Sequence, residues 1–352
     1  MLRLSFDAFY GFDHCSASGI ILIMSASWIV KPIRDLSVDE IRQWNELRFA
    51  QAPLSQTLAW GNAIESLNGN SVVVFSPERK VSAVYVIFED EAECINGPIL
   101  NWQSINNAED LNEQISMAVY ALHQGHPYLK TIKIRPRLDQ KNFLFLAKNL
   151  AFPIDQTDLA QTMLIPIADS EQKQWLQIPP RVRHEINRAT HAGVKTESIR
   201  FEDGISDFWR KTRSFYESRS LFMPEEPWIH ALLNHQNESI LEGEIIRASH
   251  TDSDSVSEIL VLHTFDVSYY FYAHEQRSEN CPNISLNACA QWAAIRSSLI
   301  KGSLYYDLNG TLHPEHSSPD NNSYSGVDQY KRKFKGKELD YFSPVICFGI
   351  RK

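Results

Sequence analysis

Apolar and polar positions along the chain switch repeatedly between a period of two and a period near 3.6, and the switches outline an alternating α/β protein. Trp28–Pro32, Ser71–Phe75, Val81–Phe88 and Thr131–Arg135 read as strands, and the turn-rich Ser76–Lys80 joins the second and third as a hairpin. Ser37 with Glu40 forms the spacing of a capping box, opening a helix with Val38, Ile41 and Trp44 on one face. Amphipathic helices are predicted over 108–124 and 139–149. In the second half a strand over Thr162–Pro166 precedes helices at 181–192, 206–219 and 226–235. Three antiparallel strands follow, Glu244–Ala248, Ser257–Phe265 and Ser268–Ala273. Asn283 or Ser285 then caps a helix with the stripe Ala288, Trp292, Ile295 and Leu299, stopped by Gly302. Leu304–Leu308 is the last predicted strand, and a polar loop of 15 or more residues comes after it.

Both halves thus repeat one order: helix, β-meander, helix, strand. This predicts an N-terminal domain over 28–157 and a C-terminal domain over 158–352 carrying the main site, with the boundary near Pro153 and Asp155–Asp158. Residues 1–27 are expected to be a poorly ordered leader or an over-extended start, with Met24 as the natural initiator. Their longest apolar run, Gly19–Met24, falls far short of the roughly 20 residues needed to cross a bilayer. No other segment qualifies, so a cytoplasmic protein is expected, with peripheral membrane contact left open. The 352 residues are 43% hydrophobic and 22% charged, which excludes a disordered or collagen-like chain. Five scattered cysteines without a Cys-x-x-Cys pair fit neither a disulfide framework nor a zinc site. The net charge is −9, yet residues 331–352 carry seven cations and two carboxylates, a local positive region on an acidic body.

Three stretches carry candidate chemistry. Gly326–Gly336 places Lys331, Arg332, Lys333 and Lys335 around Phe334. Tyr330 and Phe334, four apart, share a helical face and anchor the segment while the cations project toward one place. An anion clamp is one reading, for a phosphate or a developing oxyanion; a solvated basic turn is the plainer one. Pro179–Val194 reads as a helix with Val182, Ile186 and Ala189 buried and Arg183 at its edge, pointing into a groove or simply into solvent. Tyr305–Gly310 puts Asp307 at the end of a strand before a glycine turn, a favoured site position in α/β folds and equally a turn cap. His313, His316 and Asp320 have ligand chemistry but no helical spacing, so a polar loop is preferred to a metal site. Cys281 or Cys289 with His263 or His274 offers a Cys/His pair that nothing in the sequence brings together. Trp44, Trp60 and Trp292 are most simply core.

Taken together, these segments resemble the Fem family of peptidoglycan-bridge aminoacyltransferases and its non-ribosomal peptidyltransferase relatives. The likeness rests on Arg183, Ile186, Ala189 and Gly193-Val194; on Tyr306-Asp307-Leu308-Asn309-Gly310; and on Gly326 through Tyr330-Lys331 to Phe334-Lys335-Gly336. Weaker matches are Gln56 with Trp60, Arg219 with Phe222, and Tyr270 to Ala273, so the resemblance spans about residues 50–345. It departs from the family pattern at Asn309, at Asp328 and in lacking an inserted helical arm between 160 and 260. The resemblance implies an α/β (α+β) fold of two tandem Gcn5-type N-acetyltransferase-like domains, each a mixed, largely antiparallel sheet flanked by helices. It implies a transferase that forms an amide with no bound cofactor, metal or covalent nucleophile. The donor would be aminoacyl-tRNA or acyl-CoA, and the acceptor an amine on a lipid-linked or nucleotide sugar, a cell-wall precursor or a peptide. Lys331, Asp307 and Tyr272 would then be catalytic, with Lys331 steadying the oxyanion and Asp307 or a tyrosine orienting the amine or relaying its proton. Arg183, Tyr270, Tyr306, Tyr330, Lys333 and Lys335 would bind substrate. An acyl-CoA enzyme is the alternative, although His274–Asn283 lacks the glycines of a pyrophosphate loop. A non-catalytic ligand-binding module is the other.

Overall fold

The computed structural model describes residues 28–46, 53–66, 69–76, 81–102, 104–105, 107–219, 221, 223–233, 241–264, 266–281, 283–311 and 322–349. The expected leader, the 77–80 turn, Phe222 and the His313, His316 and Asp320 loop lie outside these residues. In chain order the first half comprises β1 (Ile29–Pro32), α1 (Val38–Glu46), α2 (Leu58–Glu65), β2 (Asn70–Phe75), β3 (Val81–Phe88), β4 (Glu91–Asn96), β5 (Ile99–Leu100), α3 (Ala108–Gly125), β6 (Thr131–Pro136) and α4 (Gln140–Asn149). The second half comprises β7 (Gln156–Pro166), α5 (Glu171–Gln177), α6 (Pro180–His191), β8 (Val194–Arg200), α7 (Phe201–Glu217), α8 (Glu226–Leu233), β9 (Glu242–His250), β10 (Val256–His263), β11 (Val267–Gln276), α9 (Leu286–Ile300), β12 (Tyr305–Thr311), α10 (Asn322–Arg332) and β13 (Lys337–Gly349).

Local chemistry accounts for several boundaries. The Ser37 capping box forms as read: the Ser37 N–H donates to the Glu40 carboxylate at 2.9 Å, and the Glu40 N–H donates back to the Ser37 hydroxyl at 3.3 Å. Asn107 and Asp139 cap α3 and α4 through their side chains. On α6 the buried stripe is Val182, Ile186 and Ala189, as the spacing predicts. The stripe predicted for α9 is incomplete. Trp292 and Leu299 are only half-buried, while Leu286, Cys289, Ala290, Gln291 and Ala294 are buried as well. The reason is that α9 lies between the sheet on one side and α6 on the other, so most of its circumference is covered.

The sheet runs β1-β2-β3-β4-β6-β13-β7-β12-β11-β10-β9-β8, with β5 paired to β3. Each half is a mostly antiparallel meander whose last strand pairs in parallel with the strand after the following helix: β4 with β6, and β11 with β12. The expected architecture, two tandem units that are each a mixed, largely antiparallel sheet flanked by helices, is the one observed. Strand β13 joins them, because Lys337–Val345 pairs with β7 while Ile346–Gly349 pairs with β6. Helices α2 and α8 also pack across the halves, with Trp60 edge-on to Trp228 at 5.4 Å. Two cores fill the first half, one around Val72, Tyr85 and Ile132 and one around Ile33, Trp44 and Val73, and two flank the second-half sheet, on the α6/α9 face and the α7/α8 face. No helix among the described residues is long and apolar enough to cross a membrane.

Candidate active site

The two parallel strand pairs differ, and the difference locates the site. In the first half β4 and β6 stay paired over six residues, Glu91–Asn96 against Thr131–Pro136. The neighbouring gap between β3 and β4 is plugged by the buried Gln56, whose amide accepts from the Val84 N–H at 2.9 Å and donates to the Ile95 carbonyl at 2.7 Å. In the second half β11 and β12 pair only over Val267–Tyr269 against Tyr305–Asp307, although both strands run on, to Gln276 and Thr311. Beyond Tyr269 and Asp307 the sheet is parted, and a cavity of about 1050 Å³ occupies the parting. Residues from both sheet faces line it: Phe215 and Tyr216 of α7, Tyr270 and Phe271 of β11, Asn287 of α9 and Lys331 of α10.

A register shift sorts the tyrosines of β11. Leu260 faces Tyr272 and Val261 faces Tyr270, leaving Phe271 as an extra residue in a bulge. Simple alternation puts Tyr270 and Tyr272 on one face; the bulge puts them on opposite faces. Tyr270 packs toward the α6/α9 core and lines the cavity, 5.7 Å below the Lys331 ammonium. Tyr272 turns to the α7/α8 core, edge-on to Trp209 at 5.2 Å and Tyr216 at 5.5 Å, and is not among the lining residues.

Lys331 is 6% exposed. Its ammonium donates to the Gly310 carbonyl at 2.6 Å. Burial pulls its pKa down from 10.5 to about 8, against the opposing pull of Asp307 and Asp328. The other cations of its run do not join it, contrary to the expectation that all four project toward one place. Lys333 is exposed, 3.7 Å from the Glu185 carboxylate; Lys335 is exposed at a positive φ of 52° just beyond the helix; Arg332 pairs with Asp328 at 2.8 Å and with Glu338. Successive helical residues point about 100° apart, and the burial of Phe334 fixes which one faces inward.

Of the remaining predicted residues, Tyr330 lines the cavity, with its hydroxyl donating to the Asn287 carbonyl at 2.9 Å. Tyr306 is fully buried, and its hydroxyl accepts from the Gln291 amide at 2.6 Å, which makes it part of the core rather than of the cavity wall. Arg183 stays on α6 away from the lining residues, half-buried, with a buried Nε that lacks a hydrogen-bond partner. Asp307 is 5% exposed and sits at the fork itself. Its Oδ1 accepts from the Thr162 hydroxyl at 2.5 Å and the Asn309 N–H at 2.7 Å, and burial pushes its carboxyl above the usual range. Cys289 and Cys281 do not line the cavity, and His263 is bound into a separate buried network with Glu244 and Ser268. His274 lines the cavity but sits 3.2 Å from the buried Glu258, with its other nitrogen 3.0 Å from the Thr212 hydroxyl. Among the described residues no group of three or more His, Cys, Asp or Glu is placed to hold a metal ion.

Sequence reasoning missed Asn287, Arg277, Phe271 and the Gly310 carbonyl. Strand bulges aim Phe271 and the Gly310 carbonyl, Arg277 follows the end of β11, and Asn287 lies in the first turn of α9, so their facing the cavity depends on tertiary placement. The cavity's charged residues are Arg219, Arg277 and Lys331 against Glu275 and Asp328. Arg277 is spent on Glu275 at 2.8 Å and on the Ile284 carbonyl at 2.7 Å, and Asp328 on Arg332. Arg219 is exposed, with its guanidinium 3.6 Å over the Phe215 ring, which leaves Lys331 as the buried cation among the described lining residues.

No protein-family model matches the sequence, and no curated protein is similar enough to be matched. Solved structures do share the fold. The crystal structure of FemX aligns at a TM-score of 0.68 and 14% identity, covering 92% of this chain and 97% of that one. The C-terminal domain of a putative lysylphosphatidylglycerol synthetase from Agrobacterium fabrum aligns at 0.52 and 13% identity, covering 88% and 92%. The structure of L-PGS from Bacillus licheniformis aligns at 0.52 and 12% identity, covering 87% and 91%.

Proposed function

We propose that the chain is an acyltransferase that makes an amide, taking an acyl or aminoacyl group from an activated ester such as aminoacyl-tRNA. The observation that carries this reading is a buried ammonium fixed where two parallel strands part around a large cavity lined from both faces of the sheet. Such a cavity can hold an acyl donor and an amine side by side, the entropic part of catalysis. The names of the FemX and lysylphosphatidylglycerol synthetase structures add support for transfer chemistry on this fold.

The chemistry asks little else of the protein. The amine nitrogen attacks the donor carbonyl carbon, and the carbonyl π electrons move to oxygen. The Lys331 ammonium stabilises that oxyanion in a site shielded from water. Collapse breaks the ester C–O bond, the alcohol leaves with a proton, and the nitrogen loses one. Tyr270 gives the Lys331 ammonium an aromatic face at 5.7 Å. The acceptor is read as an amine on a cell-wall precursor, sugar or peptide, and the reaction as cytoplasmic, where charged tRNA and acyl-CoA are made.

The test is a donor screen, aminoacyl-tRNA against acyl-CoA, with mass detection of the amide product for wild type and Lys331→Ala. A loss of about 10²–10³ in rate for the variant is expected, as for removal of an oxyanion donor elsewhere. Consumption of acyl-CoA alone turns the reading to an acyl-CoA enzyme. Ligand binding with no donor consumed makes the chain a binding module.

A further inference from the structure

Strand β12 carries a second irregularity, beside the one that sorts the tyrosines of β11. Against β7, Asp307 faces Leu164 and Gly310 faces Thr162, so Leu308 and Asn309 together oppose the single Met163. Asn309 takes a φ of 63°, the left-handed conformation that asparagine tolerates better than most side chains. The bulge is tied from both ends. The Thr162 hydroxyl and the Asn309 N–H both donate to Asp307 Oδ1, at 2.5 and 2.7 Å, and the Gly310 N–H donates to the Asn309 side chain at 2.9 Å. A bulge re-aims the backbone groups beside it. Here the re-aimed group is the Gly310 carbonyl, which accepts the Lys331 ammonium at 2.6 Å. Asn309, Gly310 and Thr311 line the cavity, whereas Asp307 does not.

We propose that Asp307 is a positioning residue: it holds the β12 bulge in the shape that turns the Gly310 carbonyl toward Lys331, and it moves no proton in the reaction. This rests on the reading of Lys331 as the functional cation. It replaces the sequence expectation of Asp307 as an acid–base group, because the carboxylate is engaged in the bulge and set back from the cavity. The charged groups bearing on the pair are Asp328 from α10, acting on Lys331, and Arg137 from the end of β6, acting on Asp307. Tyr270 faces Lys331 from β11.

The test needs no donor. The full-length protein is labelled with acetic anhydride across a pH series, and mass spectrometry of the Lys331 peptide gives the titration midpoint of that amine, expected near 8 in the wild type. Asp307→Asn keeps an oxygen for Thr162 and Asn309 but removes a negative charge that favours the ammonium. Its midpoint falls. Asp307→Ala lets the bulge relax and frees Lys331 into the open cavity, so its midpoint rises toward the ordinary 10.5 by about one pH unit or more, a tenfold change in neutral amine. Opposite shifts support the proposal. Equal falls in both variants reduce Asp307 to a remote charge and overturn it, as does the absence of any shift. If Asp307→Ala does not fold, Asn309 gives the same answer. Asn309→Gly keeps the left-handed residue and the wild-type midpoint, whereas Asn309→Val strains it and raises the midpoint; identical titrations in these two refute the bulge's role. A failed donor screen leaves this titration untouched, and a failed titration leaves donor consumption untouched.

Discussion

Replacing Lys331 with methionine separates what the site does from what it costs. The wild-type ammonium is almost wholly buried, and its pKa in the folded chain is about 8 against an ordinary 10.5. Below pH 8 both the folded and the unfolded chain carry the charge, and the folded chain bears its desolvation. Between pH 8 and 10.5 the unfolded chain binds more protons than the folded one, so stability rises with pH through that window. At 1.36 kcal/mol per pH unit the penalty at neutral pH is about 3 kcal/mol. Methionine of similar length removes it and forfeits the bond to the Gly310 carbonyl, worth about 1 kcal/mol. Lys331→Met is therefore expected to be more stable than wild type by about 2 kcal/mol at pH 7 while losing transfer activity. Its advantage should shrink to nothing at about pH 10 and turn into a small deficit above that, where the wild type keeps its bond to the Gly310 carbonyl without the penalty. Urea denaturation followed by tryptophan fluorescence at pH 7, 8.5 and 10 measures this. A variant no more stable at pH 7, or an advantage that ignores pH, refutes the argument that the protein tolerates a buried charge there for function.

Lys333→Ala and Lys335→Ala should leave stability within about 0.5 kcal/mol and the rate of transfer near wild type, since both side chains are exposed away from the cavity; a loss comparable to that of Lys331→Ala in the same product assay would show that the basic run acts together. Gln56→Ala should cost about 3 kcal/mol in denaturant titrations, because it strands the Val84 N–H and the Ile95 carbonyl in the first-half sheet; a cost under about 1 kcal/mol would mean water replaces the plug. Glu244 is pushed up by burial but brought down further, to about 2, by His263, Ser198 and Ser297. Its contribution is present above pH 4.5 and lost as pH falls toward 2, so Glu244→Gln should flatten acid denaturation in that window, by about 2 kcal/mol after allowance for partial exposure. An unchanged acid midpoint would contradict this.

Local pattern sufficed for much of this protein. The alternation of apolar residues, the Ser37–Glu40 box and the α6 stripe of Val182, Ile186 and Ala189 are set by neighbours within a few residues, which is why they are legible along the chain. The repeated order of helix, meander, helix and strand gave the tandem architecture for the same reason. Lys331 stood out because Tyr330 and Phe334 promised an anchored helix end. What the sequence could not carry was register. The strand β13, thirteen residues long and shared between both halves, shows no clean alternation because its neighbours differ along its length. The bulge at Phe271 sends Tyr270 and Tyr272 to opposite faces, and the bulge at Asn309 turns the Gly310 carbonyl to Lys331. Both depend on partner strands distant in sequence, and a one-residue slip against such a partner reverses every side chain beyond it. The parting of β11 from β12 is likewise a relation between two strands, so only the tertiary structure decided where the cavity opens and which single cation of four faces it.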